Sequence, residues 1–227
     1  MGISAGPSGV SDGLVFQLDA ANLRSYSGSG LTSNGLVGGI GGTLVNGVGF
    51  SSANNGSFIF DGTNDYIINT TFNPSTFSTV SLNLWFFKPN SWPEQYGKLF
   101  ILGSNTSTGL YLSHGTGANP FYFGVGLSVS GQREVNINRP SVNQWHLVTG
   151  TWDGSDIKIY IDGVLAGTRS GSGTFPGIYD VSGFRIGYGY ASEYFAGNIS
   201  QVQLYNRALS ATEVMQNFNA MRERYNL

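Results

Sequence analysis

The stretch Phe60-Asp61-Gly62-Thr63-Asn64-Asp65-Tyr66-Ile67 decides how the rest of this 227-residue chain is interpreted. Apolar and aromatic residues flank a turn rich in Asp, Gly and Asn, which is typical of a connection between two β-strands. Two further turns of this kind, Asp153-Gly154 and Asp162-Gly163, follow later in the chain. Repeated hairpin turns predict antiparallel strand pairing.

The overall composition agrees with an all-β fold. The chain contains 34 glycines, 15 phenylalanines and 12 tyrosines, whereas only 11% of its residues are charged. This mixture is typical of short aromatic strands joined by tight turns. Cysteine is absent, so neither disulfide bonds nor a thiolate metal site can contribute to stability.

Charge and hydropathy argue against two classes of partner. The formal net charge is -2, and the few arginines and lysines are scattered singly, so no basic stripe is available to neutralise phosphates. No apolar run approaches the about 18 residues that span a bilayer, and the N-terminus lacks the pattern of a signal peptide. We therefore expect no nucleic acid binding, no membrane insertion and no Sec-dependent export.

The chain is predicted to form one domain. Residues 1–12 are small and polar and predict a flexible N-terminal arm, whereas residues 13–227 are enough for a single sandwich with its own core. The stretch from Ser25 to Gly49 is rich in Gly, Ser, Thr and Asn and is interpreted as a long surface loop. The residues that precede it are too few to form a domain of their own.

Alternating apolar residues predict the strands. Leu82, Leu84 and Phe86 alternate with Ser81, Asn83 and Trp85, as expected for a sheet with one buried face. The predicted strands are residues 13–18, 57–60, 66–69, 80–87, 98–103, 109–113, 121–129, 144–152, 157–161, 164–169, 184–188 and 197–205.

One helix is predicted at the C-terminal end, over residues 211–225. Ser210-Ala211-Thr212-Glu213 forms a capping box, and Leu209 and Val214 stand at the positions of a hydrophobic staple. Apolar residues at helical spacing share one face, which we expect to pack on the sandwich. These residues are Val214, Phe218, Met221 and Tyr225.

Several motifs together carry a family resemblance. They are Gly13-Leu14-Val15-Phe16, Leu18-Asp19-Ala20-Ala21-Asn22, Phe60-Asp61-Gly62, Asn143-Gln144-Trp145-His146-Leu147-Val148, Thr151-Trp152-Asp153-Gly154, Tyr160-Ile161-Asp162-Gly163 and Tyr205-Asn206-Arg207-Ala208-Leu209-Ser210. Over residues 13–219 the chain resembles a laminin G-like domain of the concanavalin A-like lectin/glucanase superfamily. The resemblance implies a jelly-roll β-sandwich of two antiparallel sheets. The family hosts lectins, adhesion modules, pentraxins and glucanases, so the fold alone does not give the function.

Leu18-Asp19-Ala20-Ala21-Asn22 and Tyr205-Asn206-Arg207-Ala208-Leu209-Ser210 resemble versions that tailed bacteriophages carry on the virion surface. This resemblance implies a non-catalytic virion component, either a capsid decoration or a tail-fibre adhesin. Its expected partners are copies of itself and other virion proteins, and cell-surface glycans if it is an adhesin. A free extracellular carbohydrate-binding lectin module is the alternative, and a glycoside hydrolase is a third and less favoured possibility.

The sequence offers no catalytic pattern, and we predict no catalytic residues. A retaining glycosidase needs two carboxyl groups about 5 to 5.5 Å apart, but no Glu-x-Asp-x-Glu pattern occurs. The Gly-x-Ser-x-Gly elbow of serine hydrolases is also absent. His146 lies within a predicted strand between Trp145 and Leu147, where a structural role is favoured.

Asp61, Asn64 and Asp65 are candidate calcium ligands, because calcium prefers carboxylate and amide oxygens in turns. The alternative is that these side chains cap the backbone of their own turn.

Candidate glycan-binding residues are aromatic rings, a histidine and an amide near predicted loops. Sugar C–H faces pack on rings while hydroxyl groups find hydrogen bonds. The candidates are Trp92, Tyr96, His114, Asn119, Tyr122, Tyr188, Tyr190 and Tyr194. The alternative is that these rings cover the sheets or fill an interface between subunits.

Overall fold

A computed structural model describes residues 8–92, 95–103, 109–116, 120–175 and 183–227. The strands are β1 Leu14–Asp19, β2 Thr32–Ser33, β3 Gly42–Val45, β4 Gly49–Ser51, β5 Ser57–Asp61, β6 Tyr66–Asn69, β7 Val80–Phe87, β8 Gly97–Leu102, β9 Leu110–His114, β10 Phe121–Leu127, β11 Gly131–Ile137, β12 Trp145–Trp152, β13 Asp156–Ile161, β14 Val164–Ser170, β15 Phe184–Ile186 and β16 Ala196–Tyr205. The helix is α1 Ala211–Met221, and short 3₁₀ turns cover Ala53–Asn55 and Arg222–Tyr225.

The strands form two antiparallel sheets that pack face to face. Sheet I has the order β14-β13-β12-β7-β16-β5-β4, with β1 paired to β16. Sheet II has the order β11-β10-β9-β8-β15-β6-β3-β2. This arrangement confirms the predicted all-β jelly-roll sandwich.

Aromatic side chains join the two sheets across the core. Phe16 of sheet I lies 4.7 Å from Phe184 of sheet II, measured between ring centroids. Phe86 of sheet I stacks on Phe121 of sheet II at 5.6 Å. All four rings are inaccessible or nearly so, so the residues that alternate with them must point away from the core.

The C-terminal helix packs on the outer face of sheet I. Its capping box is present, because Ser210 Oγ accepts from the Glu213 amide and the Glu213 carboxylate accepts from the Ser210 amide. Trp85 of β7 stacks on Tyr225 at 4.3 Å and on Phe218 at 5.8 Å. The predicted helix is therefore confirmed, although its last turn is a 3₁₀ turn. Across the described ranges, no helix is long and apolar enough to cross a membrane.

The interpretation of Ser25 to Gly49 as a surface loop is wrong in part. Strands β2 and β3 lie at one edge of sheet II, and Leu44 of β3 is buried in the core. Strand β11 was also not predicted. These strands are short or mostly polar, so they lack the alternating apolar pattern that identifies the others.

The last residues of the predicted flexible arm are packed against the domain. The Val10 amide donates to Asn217 Oδ1 at 2.7 Å, and Tyr205 Oη donates to the Val10 carbonyl at 3.1 Å. Val10 is buried with Leu209 and Val214. The prediction of a loose arm is therefore wrong for residues 8–12, whereas residues 1–7 lie outside the described residues.

Candidate functional site

The outer face of sheet II carries two neighbouring rows of mostly polar and aromatic side chains. One row runs through Asn136, Tyr122, Ser113 and Lys98, which are register partners on β11, β10, β9 and β8. The next row runs through Glu134, Gly124, Tyr111, Ile101 and Arg185. Helix α1 covers the corresponding face of sheet I, so the two faces of the sandwich differ in what they can present to a ligand.

Lys98 lies near the centre of this face and is almost completely buried. Its Nζ donates to Ser113 Oγ at 3.1 Å, lies 3.4 Å from the Glu193 carboxylate and lies 5.0 Å from the centroid of the Tyr111 ring. Burial lowers the pKa of Lys98, while the neighbouring Glu193 charge acts in the opposite direction. The lysine is therefore a desolvated cation whose charge is balanced by one carboxylate.

Tyr111 lies flat across β10, where Gly124 leaves room for it. A Cβ atom on Gly124 would stand 2.2 Å from Tyr111 Cζ, so a larger residue would displace the ring. The Tyr111 hydroxyl donates to Glu134 Oε2 at 2.5 Å and accepts from Gln132 Nε2 at 2.6 Å. Burial is the main cause that raises the pKa of Tyr111, so its hydroxyl stays a hydrogen-bond donor at neutral pH.

A tyrosine hairpin, residues 187–195, borders the same face. The rings of Tyr188 and Tyr194 stack at 4.5 Å with an interplanar angle of 18°. Arg185 places its guanidinium carbon 5.9 Å from the Tyr188 ring centroid. The Lys98 amide donates to the Glu193 carbonyl at 3.2 Å, and this backbone contact holds the Glu193 side chain beside Lys98.

The structure gathers some of the predicted ligand residues and separates others. Tyr122, Tyr188 and Tyr194 lie on or beside the outer face of sheet II, and Tyr96 and Tyr190 are exposed. Asn119 lies outside the described residues. For these six residues the binding role stays a prediction.

Trp92 is not the exposed platform that its polar loop predicted. Its ring packs against the core near Phe86 and Phe121, and its indole nitrogen donates to the Pro140 carbonyl at 2.9 Å. Trp92 therefore fits the alternative in which the ring covers the sheets. Its indole N–H is bonded to Pro140, and one face of its ring lies against the core.

The prediction that His114 is a loop residue open to a ligand is wrong. His114 is the last residue of β9 and is fully buried, with its ring 4.9 Å from the ring of Trp92. Burial, with a smaller contribution from the Arg139 charge, lowers its pKa to about 3. The ring is therefore neutral at physiological pH and has no access to solvent.

Asp61 and Asp65 cap their own turn. Asp61 Oδ1 accepts from the Thr63 amide at 2.7 Å and from the Asn64 amide at 3.3 Å, and Asp65 Oδ2 accepts from the Asp61 amide at 3.2 Å. The bond from Thr63 is the largest cause that lowers the pKa of Asp61. Among the described residues, no group of three or more His, Cys, Asp or Glu side chains could hold a metal ion. The two carboxylates therefore cap backbone amides of their own turn, and a calcium role for Asp61, Asn64 and Asp65 stays a prediction.

Sequence reasoning missed the residues at the centre of the outer face. Lys98, Tyr111 and Ser113 alternate with core residues in their strands, and this signal was available in the sequence. The register between β8, β9 and β10 could not be read from the sequence, and only this register places the three side chains side by side.

The fold agrees with a comparison against known families. The laminin G family model described as the concanavalin A-like lectin/glucanases superfamily matches residues 61–215. The chain belongs to this superfamily. No curated protein sequence matches the chain.

Solved structures similar to this laminin G-like chain include domains that bind receptors and sugars. The binding domain of Paraclostridial Mosquitocidal Protein 1 aligns with a TM-score of 0.73, 18% identity, 92% of this chain and 52% of that one. The binding domain of Botulinum Neurotoxin DC in complex with SialylT has a TM-score of 0.70, 14% identity, 92% of this chain and 52% of that one. Domain 4 of AbnA, an arabinanase from Geobacillus stearothermophilus, in complex with arabinotriose has a TM-score of 0.67, 15% identity, 90% of this chain and 97% of that one.

These likenesses show the fold alone. The chain spans about half the length of the two toxin binding domains.

Proposed function

We propose that the outer face of sheet II binds a glycan and does not cleave its glycosidic bonds. The observation that carries this proposal is the difference between the two sheets. Helix α1 and the 3₁₀ turn pack on the outer face of sheet I through Phe218 and Tyr225. The outer face of sheet II instead carries tyrosine rings beside a fixed set of hydrogen-bonding groups. Two of the similar structures are described as complexes with arabinotriose and with SialylT, which supports a sugar ligand.

The chemistry of the face suits a sugar in two ways. The partly buried rings of Tyr122, Tyr188 and Tyr194 offer apolar surfaces for sugar C–H groups. Arg185 and Glu134 supply a donor and an acceptor for hydroxyl groups. Because the Tyr111–Glu134 bond and the stacked tyrosines are already formed, little side-chain entropy would be lost on binding.

The carboxylates of this face do not form a glycosidase pair. Glu134 accepts from Tyr111, and Glu193 faces the buried Lys98 cation. A glycosidase needs one protonated carboxyl group that can donate to the leaving oxygen and a second that can attack or activate water. Each carboxylate here is engaged by a neighbouring group of the protein, Glu134 by the Tyr111 hydroxyl and Glu193 by the Lys98 ammonium.

We place this binding function on a bacteriophage virion surface, as a capsid decoration or a tail-fibre adhesin. The proposal rests on the resemblance of residues 18–22 and 205–210 to virion surface versions of the fold. A free extracellular lectin is the second candidate, favoured by the complexes with arabinotriose and with SialylT among the similar structures. Mass spectrometry of purified virions distinguishes the two, because a virion component co-purifies with capsid or tail proteins and a free lectin does not.

Glycan-array binding by the purified chain tests the proposed site. Tyr122→Ala and Arg185→Ala should each weaken binding at least about 5-fold, as expected when a central contact is truncated. Arg222→Ala is the matched control, because Arg222 is an exposed arginine in the 3₁₀ turn on the other sheet. The proposal fails if the wild-type chain binds no glycan, or if both variants bind as well as the Arg222 control.

A further inference from the structure

Ser141, His146 and Asp162 form a continuous hydrogen-bonded chain. Ser141 Oγ lies 3.0 Å from His146 Nε2, and His146 Nδ1 lies 2.7 Å from Asp162 Oδ2. The second carboxylate oxygen of Asp162 accepts from the Leu147 amide at 2.9 Å, which fixes the carboxylate in its orientation. The order of contacts is that of a nucleophile, a general base and a group that orients the base.

The fold determines the position of each member. His146 is the second residue of β12 and faces the core beside Phe86. Asp162 follows β13 in the hairpin turn, where its amide donates to the Leu147 carbonyl at 2.8 Å. Ser141 follows Pro140, whose carbonyl accepts from the Trp92 indole. The three side chains therefore meet at one end of the sandwich.

Burial assigns the roles within this chain of contacts. The side chain of His146 is 5% exposed and that of Asp162 is 29% exposed, whereas Ser141 is an exposed residue. With Asp162 accepting the Nδ1 proton, the lone pair of Nε2 points to the serine hydroxyl. Ser141 is thus the most exposed residue of the three, and its hydroxyl lies against the imidazole base.

We infer that Ser141 is the nucleophile of a second site, which cleaves small carboxylic esters. Ser141 Oγ attacks the ester carbonyl carbon while His146 Nε2 takes the hydroxyl proton. The carbon–oxygen bond to the alcohol then breaks, and His146 returns the proton to the leaving alkoxide. Water releases the acyl group by the same steps: His146 takes a proton from water, the carboxylic acid leaves, and Ser141 regains its proton.

Gln144 supplies a donor beside the nucleophile. Its side-chain amide donates to Ser141 Oγ and lies 3.2 Å from His146 Nε2. An amide donor in this position can turn to the oxyanion that develops on the ester carbonyl. The serine thus has a base on one side and a donor that stabilises negative charge next to it.

The substrate class is inferred from the part of sheet II that lies next to the Ser141 loop. Arg139 donates to the Gly115 carbonyl, and a Cβ atom on Gly115 would meet the Tyr122 hydroxyl at 2.1 Å. Residues 139–141 therefore connect Ser141 to the Tyr122 end of the outer face of sheet II. An acyl ester carried on a sugar is the substrate that this placement favours. Reaction with a small ester does not depend on the proposed glycan site.

Covalent labelling tests whether Ser141 is activated. A fluorophosphonate probe reacts with serines that have an adjacent base, and intact-mass and peptide analysis of the full chain locates the adduct. We expect one adduct at Ser141, which Ser141→Ala abolishes. Ser155→Ala is the matched control and should leave it unchanged, because the Ser155 hydroxyl is exposed and contacts the Asp153 carboxylate without a histidine.

Hydrolysis of p-nitrophenyl acetate supplies the second readout. Ser141→Ala and His146→Gln should lower the rate about 100-fold or more, in the range typical of a positioned base. Asp162 acts through His146, so Asp162→Asn should lower kcat and leave KM unchanged. Thermal melting of each variant identifies any that fail to fold.

The proposal is overturned if the folded wild-type chain forms no adduct at Ser141, or if Ser141→Ala hydrolyses the ester at the wild-type rate. The two proposals fail separately: a folded wild-type chain that binds glycan but forms no Ser141 adduct overturns only the second site, and one that is labelled at Ser141 but binds no glycan overturns only the proposed binding function.

Discussion

Lys98 Nζ lies 3.4 Å from the Glu193 carboxylate, although the two side chains come from different parts of the chain and are only 6% and 23% exposed. Within the described part of the chain, Glu193 Oε2 makes no hydrogen bond. The pair therefore stabilises the outer face of sheet II through charge rather than through good hydrogen-bond geometry. Burying the charged Lys98 side chain without a carboxylate nearby would cost stability, and Glu193 supplies that carboxylate.

Removing one partner of this pair should destabilise the fold. Glu193→Gln leaves the Lys98 cation without its counter-charge, and we expect a loss of about 2 kcal/mol in the free energy of unfolding, below the about 3 to 5 kcal/mol of fully buried pairs. Urea unfolding measures the loss. The double variant Lys98→Met with Glu193→Gln should regain most of the stability. Asp153→Asn, which breaks the more exposed Lys158–Asp153 pair, should cost less than about 1 kcal/mol.

Gly124 is predicted to be essential for the shape of the outer face. Gly124→Ala forces the Tyr111 ring off β10, because the new Cβ atom would stand within 2.2 Å of the ring. We expect a loss of about 1 to 3 kcal/mol from overpacking, together with weaker glycan binding. Tyr111→Phe is the informative comparison, because it keeps the ring and removes only the hydroxyl with its bonds to Glu134 and Gln132. A Gly124→Ala variant that melts and binds like the wild type would contradict this role.

The turn at Asp61 should be insensitive to calcium. Because Asp61 Oδ1 accepts two turn amides, Asp61→Ala should lower the unfolding free energy by about 1 kcal/mol with or without the metal. Millimolar calcium should leave the melting temperature of the wild type unchanged. A calcium-dependent rise that Asp65→Ala removes would instead support the metal prediction.

Glu213 should make stability depend on acid pH. Its hydrogen bonds to Arg207, followed by those within the capping box, lower its pKa from 4.5 to about 2. Because the folded pKa is below the unfolded one, the stabilisation is present above about pH 4.5 and is lost as pH falls through about 2. Glu213→Gln should cost about 1 kcal/mol at neutral pH, and this difference should shrink on acidification. Glu223→Gln, at an exposed position without a salt bridge in the described part of the chain, is the matched control measured over the same pH range.

Asn217 is predicted to hold the N-terminal segment on the helix. Asn217→Ala leaves the Val10 amide without its acceptor and removes a bond to Tyr205. We expect a loss of about 2 kcal/mol, because a buried donor is left unsatisfied. Asn219→Ala is the control on the same helix, since Asn219 borders an open groove. Equal melting temperatures for the two variants would contradict the packed position of residues 8–12.

The elements that could be predicted from the sequence are those whose apolar residues recur with a clear period. Strand β7 was predicted with its observed bounds, Val80–Phe87, because one side of it is strictly apolar. Helix α1 was predicted from its capping box and its apolar face. Strand β3 was missed because its core contact is one leucine between glycine, threonine and valine.

The sequence also indicated which residue types a site would use, but it did not place them. Trp92 and His114 were expected at a ligand, but Trp92 packs against the core and His114 is fully buried, because polar neighbours in sequence do not fix which way a side chain points. Lys98 was not expected, although its strand was predicted.

The sequence by itself determined the laminin G-like sandwich, its antiparallel hairpins and its capped C-terminal helix, because these depend on local periodicity and turn chemistry. Only the tertiary structure decided that Lys98 meets Glu193 and that Ser141 meets His146 and Asp162. The physical reason is strand register. Contacts across a sheet join residues far apart in the chain, and a shift of one residue reverses the face to which each side chain points. The sequence of Phe60–Ile67 indicates a turn between two strands, but only the tertiary structure shows that this turn crosses from sheet I to sheet II, where β5 pairs with β16 and β6 pairs with β15.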